Sequence, residues 1–198
     1  MFKLSNYTHD GRIVRISRPF SHDNVEAMQD TILNTLDWTR RPHTPRDEAF
    51  YGDKGVSYVY SGKKYNAIDW DNTRLYEIFL WVLDEVISHG VLEAGDESFF
   101  NCCLANKYID GYDSVGWHAD NEPELGKNPT IMSLSLGETR TFKIKHNTKP
   151  LALDIPLNAG DIIVMDGAFQ HNWKHSIPKE PTIPGTRTSL TFRRNYAL

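Results

Sequence analysis

The chain has 198 residues, 39% of them hydrophobic and 24% charged, enough for one well-filled core and too few for two. Five Trp, nine Tyr and nine Phe exclude a disordered, solvating chain; runs such as Ile162 to Met165 are too short to span lipid, and Met1 to Phe20 has no apolar signal region. The net charge of −4 gives no general reason to expect a polyanionic partner, and a single domain, neither secreted nor membrane-embedded, is expected.

In chain order, the first periodic segment starts at Ser21 or Asp23, with Glu26 placed as in a capping box. Val25, Met28, Ile32 and Leu36 then recur at helical spacing as far as Trp38. Thr39 to Asp71 has no clear period and mixes Arg40, Arg41, Arg46, Lys54, Lys63 and Lys64 with many aromatic residues. So long an irregular stretch in a compact domain is usually functional. A second helix is predicted from an Asn72 cap through Leu75, Ile78, Phe79, Val82, Leu83, Val86 and Ile87 to Gly90 at the C′ position.

After Gly95 the pattern becomes that of strands: Phe99–Tyr108, Ile131–Leu136, Arg140–Lys145, Leu151–Ile155, Asp161–Met165 and Thr186–Arg194. Helices followed by strands predict an α+β fold whose second half is a sandwich or barrel. The only cysteines, Cys102 and Cys103, are adjacent and point to opposite faces of a strand, so they do not pair. A reducing, intracellular compartment, cytoplasm or nucleus, is expected. Charge is uneven: +2 over residues 1–64, −11 over 65–138 and +5 over 139–198. The acidic middle suits a cation or metal and the basic ends an anion.

His118-Ala119-Asp120 is the sharpest chemical feature, because residues two apart on an extended segment share a face and can reach one ion. A third ligand must come from elsewhere, with His171 and His175 as candidates. Two His and one carboxylate form the facial triad of non-haem Fe(II) oxygenases, with zinc the competing metal. In Arg187 to Arg193, alternation puts Arg187, Ser189, Thr191 and Arg193 on one face and Leu190 and Phe192 on the other. The two Arg lie roughly 20 Å apart at ~3.3 Å per residue, a gap that long side chains narrow to fit a short dicarboxylate held by guanidinium forks. Asn106 and Tyr108 offer an amide and a phenol on one face of another strand.

Together, Asn106-x-Tyr108-x-Asp110-Gly111-x-Asp113, His118-x-Asp120, His175-Ser176-x-Pro178 and Arg187-(x)5-Arg193 resemble the AlkB family of Fe(II)/2-oxoglutarate-dependent dioxygenases in order and spacing. Pro45-Arg46, Tyr51-Gly52-Asp53 and Tyr58-Val59-Tyr60-Ser61-Gly62 resemble the nucleotide-recognition lid of its alkylated-base repair branch. The resemblance implies a double-stranded β-helix core over about 97–196, a lid over about 39–71, and iron held by His118, Asp120 and His175. It further implies 2-oxoglutarate held by Asn106, Tyr108, Arg187 and Arg193. Ser189 stands where the family commonly has Asn, and its hydroxyl replaces one amide hydrogen bond.

By the same resemblance Tyr60 stacks on a flipped base, His118 lies on its other side, Tyr58 makes an edge or hydroxyl contact and Glu122 lies nearby. The implied reaction uses Fe(II), O2 and 2-oxoglutarate to remove N-alkyl groups from bases such as 1-methyladenine and 3-methylcytosine in DNA or RNA, releasing formaldehyde. Those bases are cationic, so a Tyr face and a carboxylate favour them, and a stacked base must be flipped out or offered from a single strand. Arg40, Arg41, Arg46, Lys63 and Lys64, with Lys143 and Lys145, are expected to face phosphates. Asp120 is expected to be oriented by a cation such as Arg187. No base-stack wedge is identifiable, so a single strand is favoured, with the protein a monomer. The alternatives are the same chemistry on a protein or small molecule, and a non-catalytic β-barrel in which His118 and Asp120 are structural.

Overall fold

The computed structural model describes residues 2–3, 10–60, 62–93, 95 and 100–196, without the side chains of residues 2, 3, 60 and 63. Strands β1 (Phe2–Lys3) and β2 (Arg12–Ile16) precede helix α1 (His22–Thr35). There follow β3 (Thr39–Arg40), β4 (Asp47–Gly52), β5 (Ser57–Tyr60), β6 (Lys63–Asn66), β7 (Ile68–Asp69) and helix α2 (Arg74–Ser88). The second half contains β8 (Cys102–Tyr108), β9 (Val115–His118), β10 (Ile131–Gly137), β11 (Arg140–His146) and β12 (Ala152–Leu157). It ends with β13 (Ile162–Asp166), the short helix α3 (Phe169–Asn172), β14 (Trp173–Ile177) and β15 (Arg187–Arg193).

From β8 onward the chain passes back and forth between two facing sheets, with β11 and β12 forming a hairpin within the smaller one. The larger runs β1-β2-β13-β10-β15-β8-β4-β3, with β7 beside β4; the smaller runs β12-β11-β14-β9, and β5 and β6 form a separate hairpin. This is a double-stranded β-helix with an enlarged major sheet. Each strand's side chains divide between its two faces. From β10 and β15, Met132, Leu134, Leu190 and Phe192 point to one side, where Met28 and Ile32 of α1 and Phe79 and Val82 of α2 cover them. Between the sheets, Ile163 and Met165 of β13 meet Phe142 and Ile144 of β11. The same inner surface carries Asn106, Ser189 and the two Arg of β15, so one end of the sandwich interior is polar.

Both helices form where their period predicts. Ser21 Oγ caps α1 by accepting from Asn24 N–H, and Gly90, at φ 63°, ends α2. The cap of α2 is Thr73, whose Oγ1 accepts from Tyr76 N–H, and not Asn72, which takes a left-handed turn at φ 60°. The aperiodic stretch contains β4, six residues buried throughout; a strand covered on both faces and paired to β8 shows no alternation. Strand β2 also joins the major sheet, pairing antiparallel with β13, and its Arg15 donates to Asp161 Oδ2 at 2.6 Å. Thus strands both precede and separate the helices. Phe99, expected in β8, lies outside the described residues.

The loops at the mouth are held by Arg140, which is 1% exposed. Its guanidinium donates to the carbonyls of Asp110, Asp113 and Pro178 at 3.0, 2.9 and 2.6 Å and to Glu180 Oε2 at 3.0 Å. Gly111 fits because a Cβ there would lie 1.8 Å from the Glu180 carbonyl oxygen. Burial raises the Glu180 pKa, but hydrogen bonds from Thr141 and Arg140 and the Arg140 charge outweigh it, so the pKa falls below its ordinary 4.5. This carboxylate therefore stabilises the fold above pH 4.5, and the contribution disappears as pH falls through the folded value. Arg140→Met should cost about 3–5 kcal/mol in urea unfolding at pH 7, and Glu180→Gln should flatten the acid side of the stability profile. Unchanged profiles in both variants would show that the network does not hold the mouth.

Candidate metal centre

β9 is the edge strand of the minor sheet, and it pairs with β14 so that His118 and His175 are direct partners. Their rings therefore lie side by side, with centroids 4.2 Å apart. Asp120 lies just beyond the end of β9, where its N–H donates to Gln170 Oε1 at 2.9 Å. His118 Nε2 is 3.8 Å from Asp120 Oδ1 and His175 Nε2 is 4.0 Å from Oδ2. One ligand atom from each residue lies within 4.8 Å of the others, a spacing one ion can bridge with bonds of about 2.0–2.2 Å.

The protonation states suit that role. His118 Nδ1 lies 2.9 Å from the Gly116 carbonyl, so it carries the proton and leaves Nε2 with a lone pair. Burial, then the neighbouring His118, pushes His175 down to about 3, so its ring is neutral near pH 7. Burial alone would raise the Asp120 pKa, but the charge of Arg193, the largest opposing influence, helps hold it well below the usual carboxylate range. Arg193 donates to Asp120 Oδ2 at 3.0 Å, while Oδ1 is buried without a hydrogen-bond partner among the described residues. The cation that orients Asp120 is thus Arg193 and not Arg187. Six residues of extended strand separate the two, so only one can stand beside the acid.

Arg187 lies at the other end of the same cavity, 2% exposed, donating to Ser135 Oγ at 2.8 Å and lying 5.2 Å from the Tyr108 ring centroid. Nε and Nη1 of both Arg187 and Arg193 are buried without acceptors among the described residues. Such donors are costly unless an anion completes them, so the cavity suits a ligand with carboxylates. Register places Tyr108 opposite Arg187 and Asn106 opposite Ser189, and all four line the cavity with the three candidate ligands.

The substrate-side residues are arranged less as expected. Tyr58 is 1% exposed, packed on Phe50 and Tyr65, with Arg193 5.6 Å above its ring; it belongs to the buried core and does not line the cavity. Burial and the Asp120 charge raise the Glu122 pKa. The Tyr60 side chain, expected to stack on a base, lies outside the described residues, as does that of Lys63. Arg46 does not face phosphates: it is 6% exposed and donates to Asn106 Oδ1 and Glu48 Oε1, each at 2.7 Å. Arg40 is bound by Asp47 and Asp113, and Lys143 by Asp154. Arg41 and Lys145 lie over the rings of Tyr65 and Trp117. His171 sits on α3 and bonds the Lys127 carbonyl, away from the cluster. Glu48, Gln170 and Ser135 escaped the sequence reading, since each acts through a distant partner that no local spacing reveals.

The chain matches the family model of the 2OG-Fe(II) oxygenase superfamily over residues 19–193. It is 37% identical over 161 residues to the mouse alpha-ketoglutarate-dependent dioxygenase alkB homolog 3, covering 77% of this chain and 52% of that protein. It is 31% identical over 158 residues to the human DNA oxidative demethylase ALKBH2, covering 76% of this chain and 56% of that protein. To the Arabidopsis thaliana protein of that name it is 31% identical, covering 96% of this chain and 68% of that protein. The chain thus spans about half the length of the mammalian relatives. The solved structure of OsALKBH1 superposes with a TM-score of 0.63 at 19% identity, covering 92% of this chain and 97% of that one, which shows the shared fold. By family match, by relatives and by fold, the chain belongs to the AlkB family of the 2OG-Fe(II) oxygenase superfamily.

Proposed function

We propose that this chain oxidatively dealkylates N-alkylated bases of the 1-methyladenine and 3-methylcytosine type in DNA or RNA. One observation carries the reading: a convergent His-Asp-His cluster shares its cavity with two buried guanidinium groups whose free donors have no acceptor among the described residues. Relatives named DNA oxidative demethylase supply the substrate class. The donor set fits Fe(II), with His118, Asp120 and His175 as ligands and three positions left open on an octahedral ion. Arg187 and Arg193, with Asn106, Tyr108 and Ser189, fit the carboxylates of 2-oxoglutarate.

When bound, Fe(II), O2 and 2-oxoglutarate supply the oxidising chemistry, one oxygen atom hydroxylating the N-alkyl carbon and the other entering succinate as CO2 leaves. The hydroxymethyl product then breaks its C–N bond and releases formaldehyde, and the base nitrogen is restored. The protein's share is orientation and charge. Arg193 holds one Asp120 oxygen and so fixes the carboxylate's orientation, and the other oxygen would be available to a bound metal. The neutral imidazoles keep their lone pairs for it, and apolar walls such as Leu104, Phe142 and Met165 exclude water. Glu122 supplies negative charge for a cationic base, and Tyr60 a stacking face. The partner is nucleic acid, with a single strand favoured because the base is then free to enter. Among the described residues no helix is long and apolar enough to cross a membrane.

Three outcomes are expected. Asp120→Asn keeps an acceptor for Arg193 and should leave the melting temperature within a few degrees, yet weaken Fe(II) binding by more than about 100-fold in anaerobic titration; wild-type affinity would remove Asp120 from the ligand set. Oligonucleotides carrying 1-methyladenine or 3-methylcytosine should release formaldehyde with consumption of 2-oxoglutarate. Consumption without release from any modified oligonucleotide would redirect the activity to another substrate class. Glu122→Gln should lower kcat/KM on the cationic bases about tenfold, and equal values in the two proteins would place Glu122 outside the base site.

A further inference from the structure

The amide of Asn106 has one orientation imposed on it. Arg46 Nε lies 2.7 Å from Asn106 Oδ1, and since a guanidinium only donates, the atom facing it must be the amide oxygen. The Asn106 NH2 is thereby turned away from Arg46; it has no protein acceptor among the described residues, and the residue lines the cavity of Arg187 and Ser189. Arg46 is itself aimed by Glu48, 2% exposed, whose Oε1 accepts from Arg46 Nη2 at 2.7 Å. Glu48 Oε2 accepts from Tyr65 OH at 2.8 Å and has Arg41 Nε 3.8 Å away. Both carboxylate oxygens are therefore engaged, one by the sheet and one by the β5–β6 hairpin. Register explains the convergence: Glu48 of β4, Asn106 of β8 and Ser189 of β15 stand directly opposite one another across three adjacent strands.

We infer that Glu48 is a positioning residue for the cosubstrate: through Arg46 it fixes the Asn106 amide so that its NH2 is presented to a carboxylate of 2-oxoglutarate. This rests on the assignment of the Arg187–Arg193 cavity to 2-oxoglutarate. It reassigns Arg46 from phosphate contact to this relay, and it makes Asn106 the amide of a row in which Ser189 offers only a hydroxyl. Because Tyr65 belongs to the hairpin beside the cleft, the same carboxylate ties that hairpin to the cosubstrate cavity.

The test is calorimetric titration of 2-oxoglutarate, without O2, into the Fe(II)-loaded protein, comparing wild type with Glu48→Ala, Arg46→Lys, Asn106→Ala and the doubles that combine each of the first two with Asn106→Ala. Glu48→Ala and Arg46→Lys should each weaken 2-oxoglutarate about tenfold, with little change in Fe(II) affinity. Each double variant should bind within about twofold of Asn106→Ala alone, because the effect passes through that amide. Glu48→Gln, which keeps an acceptor for Arg46, should recover most of the loss. If Glu48→Ala does not fold, Arg46→Lys and its double with Asn106→Ala give the same reading. Losses that multiply in the doubles, or wild-type affinity in Glu48→Ala and Arg46→Lys while Asn106→Ala is weakened, would overturn the positioning role. Wild-type affinity in Asn106→Ala and in Arg187→Ala would instead overturn the cosubstrate assignment beneath it.

Discussion

A guanidinium taken out of water must find an anion, and the ion pair between Arg193 and Asp120 is the interaction on which the centre depends. Arg193 is 4% exposed and Asp120 1%, so neither charge is sustainable alone. Pairing at 3.0 Å keeps Asp120 ionised against a burial cost that would otherwise neutralise it. It also engages Oδ2, which lies 4.0 Å from His175 Nε2, and leaves Oδ1 3.8 Å from His118 Nε2. The acid of the His-Asp-His cluster and one guanidinium of the cavity are therefore one unit, and the strand that carries Arg193 also fixes the distance to Arg187.

The rest of the architecture keeps that unit in place. Helices α1 and α2 cover the outer face of the major sheet with the larger aromatic core, where Trp70 stacks on Phe79 at 5.2 Å. That coverage lets the inner face of β8 and β15 carry polar residues, since the hydrophobic driving force comes from the other side of the same strands. Arg140 then anchors the mouth loops through three carbonyls and Glu180, and Gln170 receives the Asp120 N–H. Among the described residues, Asp120 Oδ1 and four guanidinium nitrogens are buried at the centre without hydrogen-bond partners. Unsatisfied donors and acceptors that face one another across a cavity are an arrangement completed by ligands.

Several residues show how far local pattern reaches. The helical period of Val25, Met28 and Ile32 and that of Leu75 to Val86 follow from burial of one face, and both helices form there. β15 follows from alternation, and its polar face is the one that lines the cavity. β4 was illegible because sheet and helices cover both its faces, which removes the period-two signal. β9 was illegible because four residues containing a Gly and an exposed Trp117 are too few to show a pattern. Arg46 reads as a surface cation because nothing near it in sequence shows that Asn106, sixty residues away, will accept its hydrogen bond.

The sequence by itself determined the helices, the strand-rich second half, the His118-x-Asp120 pair, the two-Arg strand and, through resemblance, the family. These are properties of short segments, where side-chain period and residue type act over a few positions. Tertiary structure alone decided that Arg193 and not Arg187 orients Asp120, that Thr73 caps α2, and that Arg46 and Glu48 turn inward to Asn106. Each of those outcomes depends on which strands become neighbours and in what register, and that is settled by packing the whole core, with no trace in the spacing of any one segment.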